Sequence, residues 1–162
     1  MRRVILVQQS VGQSIVNFNT DELRQLIEGL YLKLKSAARN DGVFMQLKVF
    51  WGHDAHHGRE GIFCYSDEDG YHCGANDRGI LVEDATTQDL VEIVYLALST
   101  NISSMASKYE LHHRIKGKDS RRLMFQKDLE YWGLLGEEYQ RFAEQKIQEI
   151  LKDYPFNDSL PW

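Results

Sequence analysis

GIFCYSDEDGYHCGAN, residues 61–76, is the stretch on which the fold turns. Two runs rich in aromatic and small apolar residues flank an acidic reversal ending in Asp69-Gly70, where glycine accepts the positive φ of a tight turn. The stretch reads as a β-hairpin. A four-residue turn would put Cys64 and Cys73 opposite one another across it. They read as two reduced, buried thiols acting as small apolar residues, with a disulfide as the alternative. A further short strand over Ile80 to Glu83 extends an antiparallel sheet whose turns carry Asp67, Glu68, Asp69, Asp77, Glu83 and Asp84.

Upstream, FMQLKVFW at 44–51 has the aromatic and β-branched character of another strand, followed by the polar loop GHDAHHGRE. Residues 20–38 place Leu23, Leu26, Ile27, Leu30 and Leu34 at helical spacing, with Asn19 and Glu22 as a capping box. Asn40, Asp41 and Gly42 end that helix with turn chemistry.

Downstream, the period changes at Thr87. Leu90, Val91, Val94, Leu98 and Ile102 share a helical face, capped by Thr86 or Thr87, with Asp89 in the first turn. This helix continues to about His113, and Gly117 breaks the chain before a cap at Asp119 or Ser120. Phe125, Leu129 and Trp132 mark the next helix, which stops at the GLLG of 133–136. Tyr139, Phe142, Ala143, Ile147, Ile150, Leu151 and Tyr154 stripe the last one, which Pro155 ends. The predicted fold is a single α+β domain over 1–162. An amino-terminal helix and a small antiparallel sheet occupy 1–85, and a helical half, 86–158, packs on one sheet face.

The chain has 162 residues, 43% of them apolar and 27% charged, enough to bury a core without metal or disulfide help. The apolar run after MRR is too short for a secretory signal, and LVEIVYLALS at 90–99 is broken by Glu92 well short of a membrane span. A cytoplasmic protein without a membrane partner is expected.

No G-x-S-x-G elbow, P-loop, G-x-G-x-x-G or H-E-x-x-H occurs. Cys73 and His72 are neighbours along a strand, so their side chains point to opposite faces and form no dyad. His53, Asp54, His56 and His57 make the one metal-like cluster, but their spacing matches no closed zinc motif. An exposed polar loop is the reading adopted there. A metal-dependent hydrolase using that loop ranks third among the functions considered, and no cofactor is expected.

KYELHHRIKGKDSRRLMF, residues 108–125, concentrates positive charge in an acidic chain. Residues 108–122 carry +4, so a net charge of −5 leaves −9 for the rest. The segment suits a phosphate-binding groove, and a nucleic-acid-binding regulatory domain is the second reading. Against it, the charges alternate with Tyr109, Leu111, Ile115 and Leu123, which a helix would turn inward, and Glu110 and Asp119 are at hand as partners. Arg114 stands four residues after Glu110. A charged, internally paired joint between helices is the first reading, with Tyr109, Glu110, Arg114, Asp119, Arg121 and Arg122 as its polar cluster.

The run Met105-Ala106-Ser107, then Tyr109-Glu110-Leu111, Arg114, Asp119, Arg121-Arg122, Phe125 and finally Pro155-Phe156 and Asp158 resembles the immunity protein 63 family of bacterial polymorphic toxin systems. The resemblance is strongest over residues 103–158 and reaches the hairpin only in character. It implies a protein that blocks a cognate toxin inside the producing cell by stoichiometric, non-catalytic binding. Many such toxins are basic nucleases, which an acidic inhibitor complements in charge. Asp67, Glu68, Asp69, Glu83 and Asp84 are the expected partner-binding residues, presented on one sheet edge.

Overall fold

A computed structural model describes residues 17–53 and 59–159. The amino-terminal run, the loop residues Asp54, His56 and His57, and Trp162 lie outside them.

Five helices and four strands follow in the order α1 (Thr20–Leu32), α2 (Lys35–Asn40), β1 (Val49–Trp51), β2 (Gly61–Asp67), β3 (Gly70–Asp77), β4 (Ile80–Thr87), α3 (Leu90–His113), α4 (Ser120–Leu135) and α5 (Glu137–Asp153). The sheet order is β1-β2-β3-β4. The class is α+β, as predicted. α1 and α3 lie against one sheet face, and α4 and α5 pack on α3 behind it.

The capping box forms: Asn19 Oδ1 accepts from the Glu22 N–H at 2.9 Å, and the Glu22 carboxylate accepts from the Asn19 N–H at 2.9 Å. Asn19→Ala is expected to cost about 1 kcal/mol, measured by urea unfolding. The helix read over 20–38 divides at Lys33 and Leu34, a bend that keeps Leu34 and Ala38 fully buried.

Only Val49–Trp51 of the predicted 44–51 strand joins the sheet, because other groups take the main chain of Met45 and Gln46. The Tyr31 hydroxyl donates to the Met45 carbonyl at 2.7 Å, and Asn101 Nδ2 donates to the Gln46 carbonyl at 3.1 Å. β1 also corrects the antiparallel expectation, since it runs parallel to β2. A three-residue strand needs a return of only about 10 Å, and nine residues, 52–60, connect Trp51 to Gly61. Beyond β1 the Thr20 side chain stands in for a strand, accepting from the Ser66 N–H at 3.0 Å and donating to its carbonyl at 3.3 Å.

The hairpin closes as read, through the four-residue turn Asp67–Gly70. Asp67 pairs with Gly70 across Glu68 and Asp69, and Cys64 pairs with Cys73. Both thiols are free and buried with their Sγ atoms 3.1 Å apart, and the shared hydrogen bond and burial raise the Cys64 pKa well above its ordinary value. Gly70, at φ 128°, leaves room for the Thr87 carbonyl. At Gly74 a Cβ would overlap the Phe63 ring and lie 2.5 Å from the Glu83 carbonyl, so only glycine lets that ring lie flat on β3.

β4 runs on to Thr87, taking Thr86 and Thr87 that the sequence reading assigned to a helix cap. Asp89 caps α3 instead, its carboxylate accepting from the Val91 and Glu92 N–H groups. α3 has 24 residues and is long and apolar enough to cross a membrane, more than the stretch 90–99 suggested. Ile93, Val94, Ala97, Leu98, Ile102, Met105 and Ala106 are instead buried in the core, between sheet and helices. Each buried Ile, Val, Leu or Met side chain among them contributes roughly 1.5–3 kcal/mol.

In α4 the buried side is Asp128, Tyr131, Trp132 and Leu135, so Phe125 and Leu129 flank the core. The α5 stripe ends early, leaving Ile150 and Tyr154 exposed past the end of the packed surface.

Candidate functional site

Helices cover one side of the sheet and none packs on the other among the described residues. On that outer side strand alternation places Phe63, Tyr65 and Asp67 of β2, His72 and Gly74 of β3, and Asp84 and Thr86 of β4. Tyr65 stands opposite His72, and their rings stack at 4.3 Å with 5° between planes. The His53 ring meets Tyr65 edge-on at 5.0 Å.

His72 ties three strands together. Its Nε2 is 2.7 Å from Asp67 Oδ1 and its Nδ1 is 3.1 Å from Thr86 Oγ1. A neutral imidazole protonated at Nε2 satisfies both, donating to the carboxylate and accepting from the hydroxyl. The bond to His72 holds the Asp67 carboxyl below its ordinary range. The Tyr65 hydroxyl is shifted upward, by partial burial first and then by the charges of Asp67, Asp84 and Asp69. Three of the five predicted partner-binding acids, Asp67, Asp69 and Asp84, thus gather around one aromatic pair. Glu68 sits exposed in the turn, while Glu83 points to the helix side of the sheet, where it is exposed.

Sequence reading missed Tyr65, His72 and Thr86. Their signal was available: once Cys64 faces Cys73, the antiparallel register puts Tyr65 opposite His72, and period-two alternation puts both on the face away from the cysteines.

The basic segment lies elsewhere, on the helical side. Arg114 grips Glu110 with two bonds, Nε to Oε1 and Nη2 to Oε2, each 2.9 Å. Asp119, buried at the start of α4, accepts from the Arg121 N–H at 3.0 Å, Arg121 Nε at 3.1 Å, Arg121 Nη2 at 2.6 Å and the Asn157 N–H at 2.9 Å. Arg121 also donates to the carbonyls of Tyr154 and Pro155. Asp158 takes bonds from Arg122 Nε at 2.9 Å and the Asp119 N–H at 2.8 Å, with Lys118 Nζ at 3.5 Å; together they hold its carboxyl down at about 2. The Arg122 guanidinium covers the Phe156 ring at 4.3 Å. The cations and acids thus bolt the segment after α5 onto the start of α4.

Tyr109 belongs to a second cluster. Its ring stacks on His113 at 4.0 Å and carries Lys127 Nζ at 4.3 Å, and Lys127 pairs with Asp41 at 2.8 Å. Leu111 and Ile115, expected to turn inward, are 60% and 55% exposed. Glu110 is the residue α3 points inward there, which sends Leu111 outward, and Ile115 follows the helix end. Of the metal-like loop only His53 is described, and among the described residues no three His, Cys, Asp or Glu side chains converge as a metal site requires.

The arrangement defines a class: an α+β protein with an acidic, aromatic sheet face on one side and, on the other, a basic joint whose arginines are paired within the fold. The family profile described as Immunity protein 63 matches residues 67–149, just over half the chain, and the chain belongs to that family. The match runs from the hairpin turn through most of α5, further forward than the resemblance over 103–158. α1, β1 and the bolted segment at 154–158 lie outside it. No curated protein and no solved structure matches the chain.

Proposed function

We propose that the protein, an immunity protein against a toxin, works inside the producing cell by stoichiometric, non-catalytic binding, with the acidic outer sheet face meeting a basic surface of the toxin. The observation that carries this is the placement of charge. Asp67, Asp69 and Asp84 surround Tyr65 and His72 on the side where no helix packs among the described residues, while Arg114, Arg121 and Arg122 are bonded within the fold. The same bonds speak against the nucleic-acid reading, because those guanidinium groups already have acceptors. Tyr65, half-buried, stacked on the buried His72 and ringed by carboxylates, offers rigid contact area together with charge that steers a cationic partner.

The test is binding to the toxin domain encoded beside this chain, measured at several salt concentrations. Asp67→Lys, Asp69→Lys and Asp84→Lys combined should slow association about tenfold or more and flatten its salt dependence, and co-expression should no longer rescue growth. Unchanged affinity and salt dependence in a folded variant would remove this face from the interface.

A further inference from the structure

We propose that the toxin is held by strand addition: the open edge of β4, Glu83–Thr87, receives an extended toxin segment that carries Lys or Arg among small or apolar side chains. This rests on the toxin-binding reading above and specifies its mode.

The main chain supplies the first argument. β3 and β4 are antiparallel, with Ala75 opposite Glu83, Cys73 opposite Ala85 and Tyr71 opposite Thr87. The tight Asp67–Gly70 turn directs the main-chain bonds of Gly70, His72 and Gly74 to β2, so those of Tyr71, Cys73 and Ala75 go to β4. Glu83, Ala85 and Thr87 therefore bond inward. The N–H and C=O groups of Asp84 and Thr86 face away from the sheet, and no further strand meets them among the described residues. Those are the groups an incoming strand would pair with.

Packing supplies the second. α1 and α3 underlie β2 and β3 more fully than β4, which overhangs the helical layer. Ile80, Leu81 and Val82 are 66%, 47% and 57% exposed at its start, apolar area that an isolated surface strand would ordinarily not carry. Beneath the overhang a cleft of about 350 Å³ runs between Ala75, Glu83 and Ala85 of the sheet and Leu96, Ser99 and Thr100 of α3. Alternate side chains of an added strand would point toward it.

Charge selects the occupant. A second copy of this chain paired edge to edge through Glu83–Thr87 would bring Glu83 and Asp84 of both copies together, four carboxylates along one seam. A cationic segment neutralises them instead. The bulge that leaves Val82 without a partner between Leu81 and Glu83 breaks the regular ladder, which limits self-pairing and fixes where the added strand ends.

Thr86→Pro tests this, because proline removes an N–H that faces outward and spares the ladder to β3. It is compared with Thr86→Val, which loses the same hydroxyl and keeps the N–H. Against the toxin domain encoded beside this chain, Thr86→Pro should bind at least tenfold more weakly than Thr86→Val. In the wild-type protein, the amides of Asp84 and Thr86 should exchange rapidly when free and slowly in the complex. Equal affinity of the two variants, or rapid exchange of both amides in the complex, overturns the proposal. Protection that grows with protein concentration in the absence of toxin also overturns it, by making a second copy the occupant. If the charge-reversed face loses affinity while these measurements fail, the acidic face stands and strand addition falls. If the wild-type chain does not bind the toxin, both fall. Should Thr86→Pro not fold, the amide exchange of the wild-type complex decides alone.

Discussion

Asp119→Ala is expected to destabilise the protein by roughly 3–5 kcal/mol, the range for breaking a buried ion pair on one side, and to lower the melting temperature by about 10 °C. The Asp119 side chain is only 1% exposed and accepts four hydrogen bonds. Its loss leaves Arg121 facing two carbonyls without a counter-charge, and it strips an acceptor from the Asn157 N–H and from the first turn of α4. The cap alone would account for about 1 kcal/mol; the remainder comes from the stranded guanidinium and the freed segment after α5. Arg121 holds the Asp119 carboxyl far below the usual carboxylate range. A depressed folded pKa contributes stability that is complete above the unfolded value and is lost as pH falls through the folded one. Wild type should therefore lose this increment only in strong acid, below pH 3.8, while Asp119→Ala lacks it at every pH. A melting temperature within 2–3 °C of wild type would show that the bolt holds nothing.

The second large effect has the opposite sign. Asp128 is buried between α3 and α4, where Ser103 Oγ donates to it at 2.9 Å, and burial pushes its pKa up to about 6. The Trp132 indole is near enough to favour the ionised carboxylate somewhat, yet Nε1 falls short of hydrogen-bond geometry and has no partner. A raised folded pKa means that the group favours folding below its unfolded pKa, and that this advantage is lost as pH rises through about 6. A shift of this size corresponds to roughly 3 kcal/mol between pH 4 and 7. Asp128→Asn should flatten the stability profile over that window and leave the protein more stable than wild type at pH 7, as read from urea midpoints. A variant with the same pH slope as wild type would mean that Asp128 is not the group that titrates.

Much of the fold was legible because local chemistry and tertiary context agreed. The Asn19–Glu22 box, the hairpin at 61–77, the long core helix and the Asp119 cap all stand on side chains that act within a few residues of themselves. Reading failed where distant groups decided. Nothing near Met45 announces that Tyr31 and Asn101 will take its neighbourhood out of the sheet. Nothing near Val49 announces a parallel partner. The acids were legible as residues but not as a surface, because only the register brings Asp84 to the Tyr65–His72 pair and sends Glu83 to the other side.

Two residues, Gln88 and Asp89, separate the end of β4 from the first residue of α3. The Thr87 hydroxyl reaches Glu92 at 2.6 Å, and Asp89 closes the helix end. There is accordingly little slack between the sheet's rim and the interior. A load applied to the rim reaches the central shaft of the molecule almost directly, so anything that seizes the one must contend with the rigidity of the other.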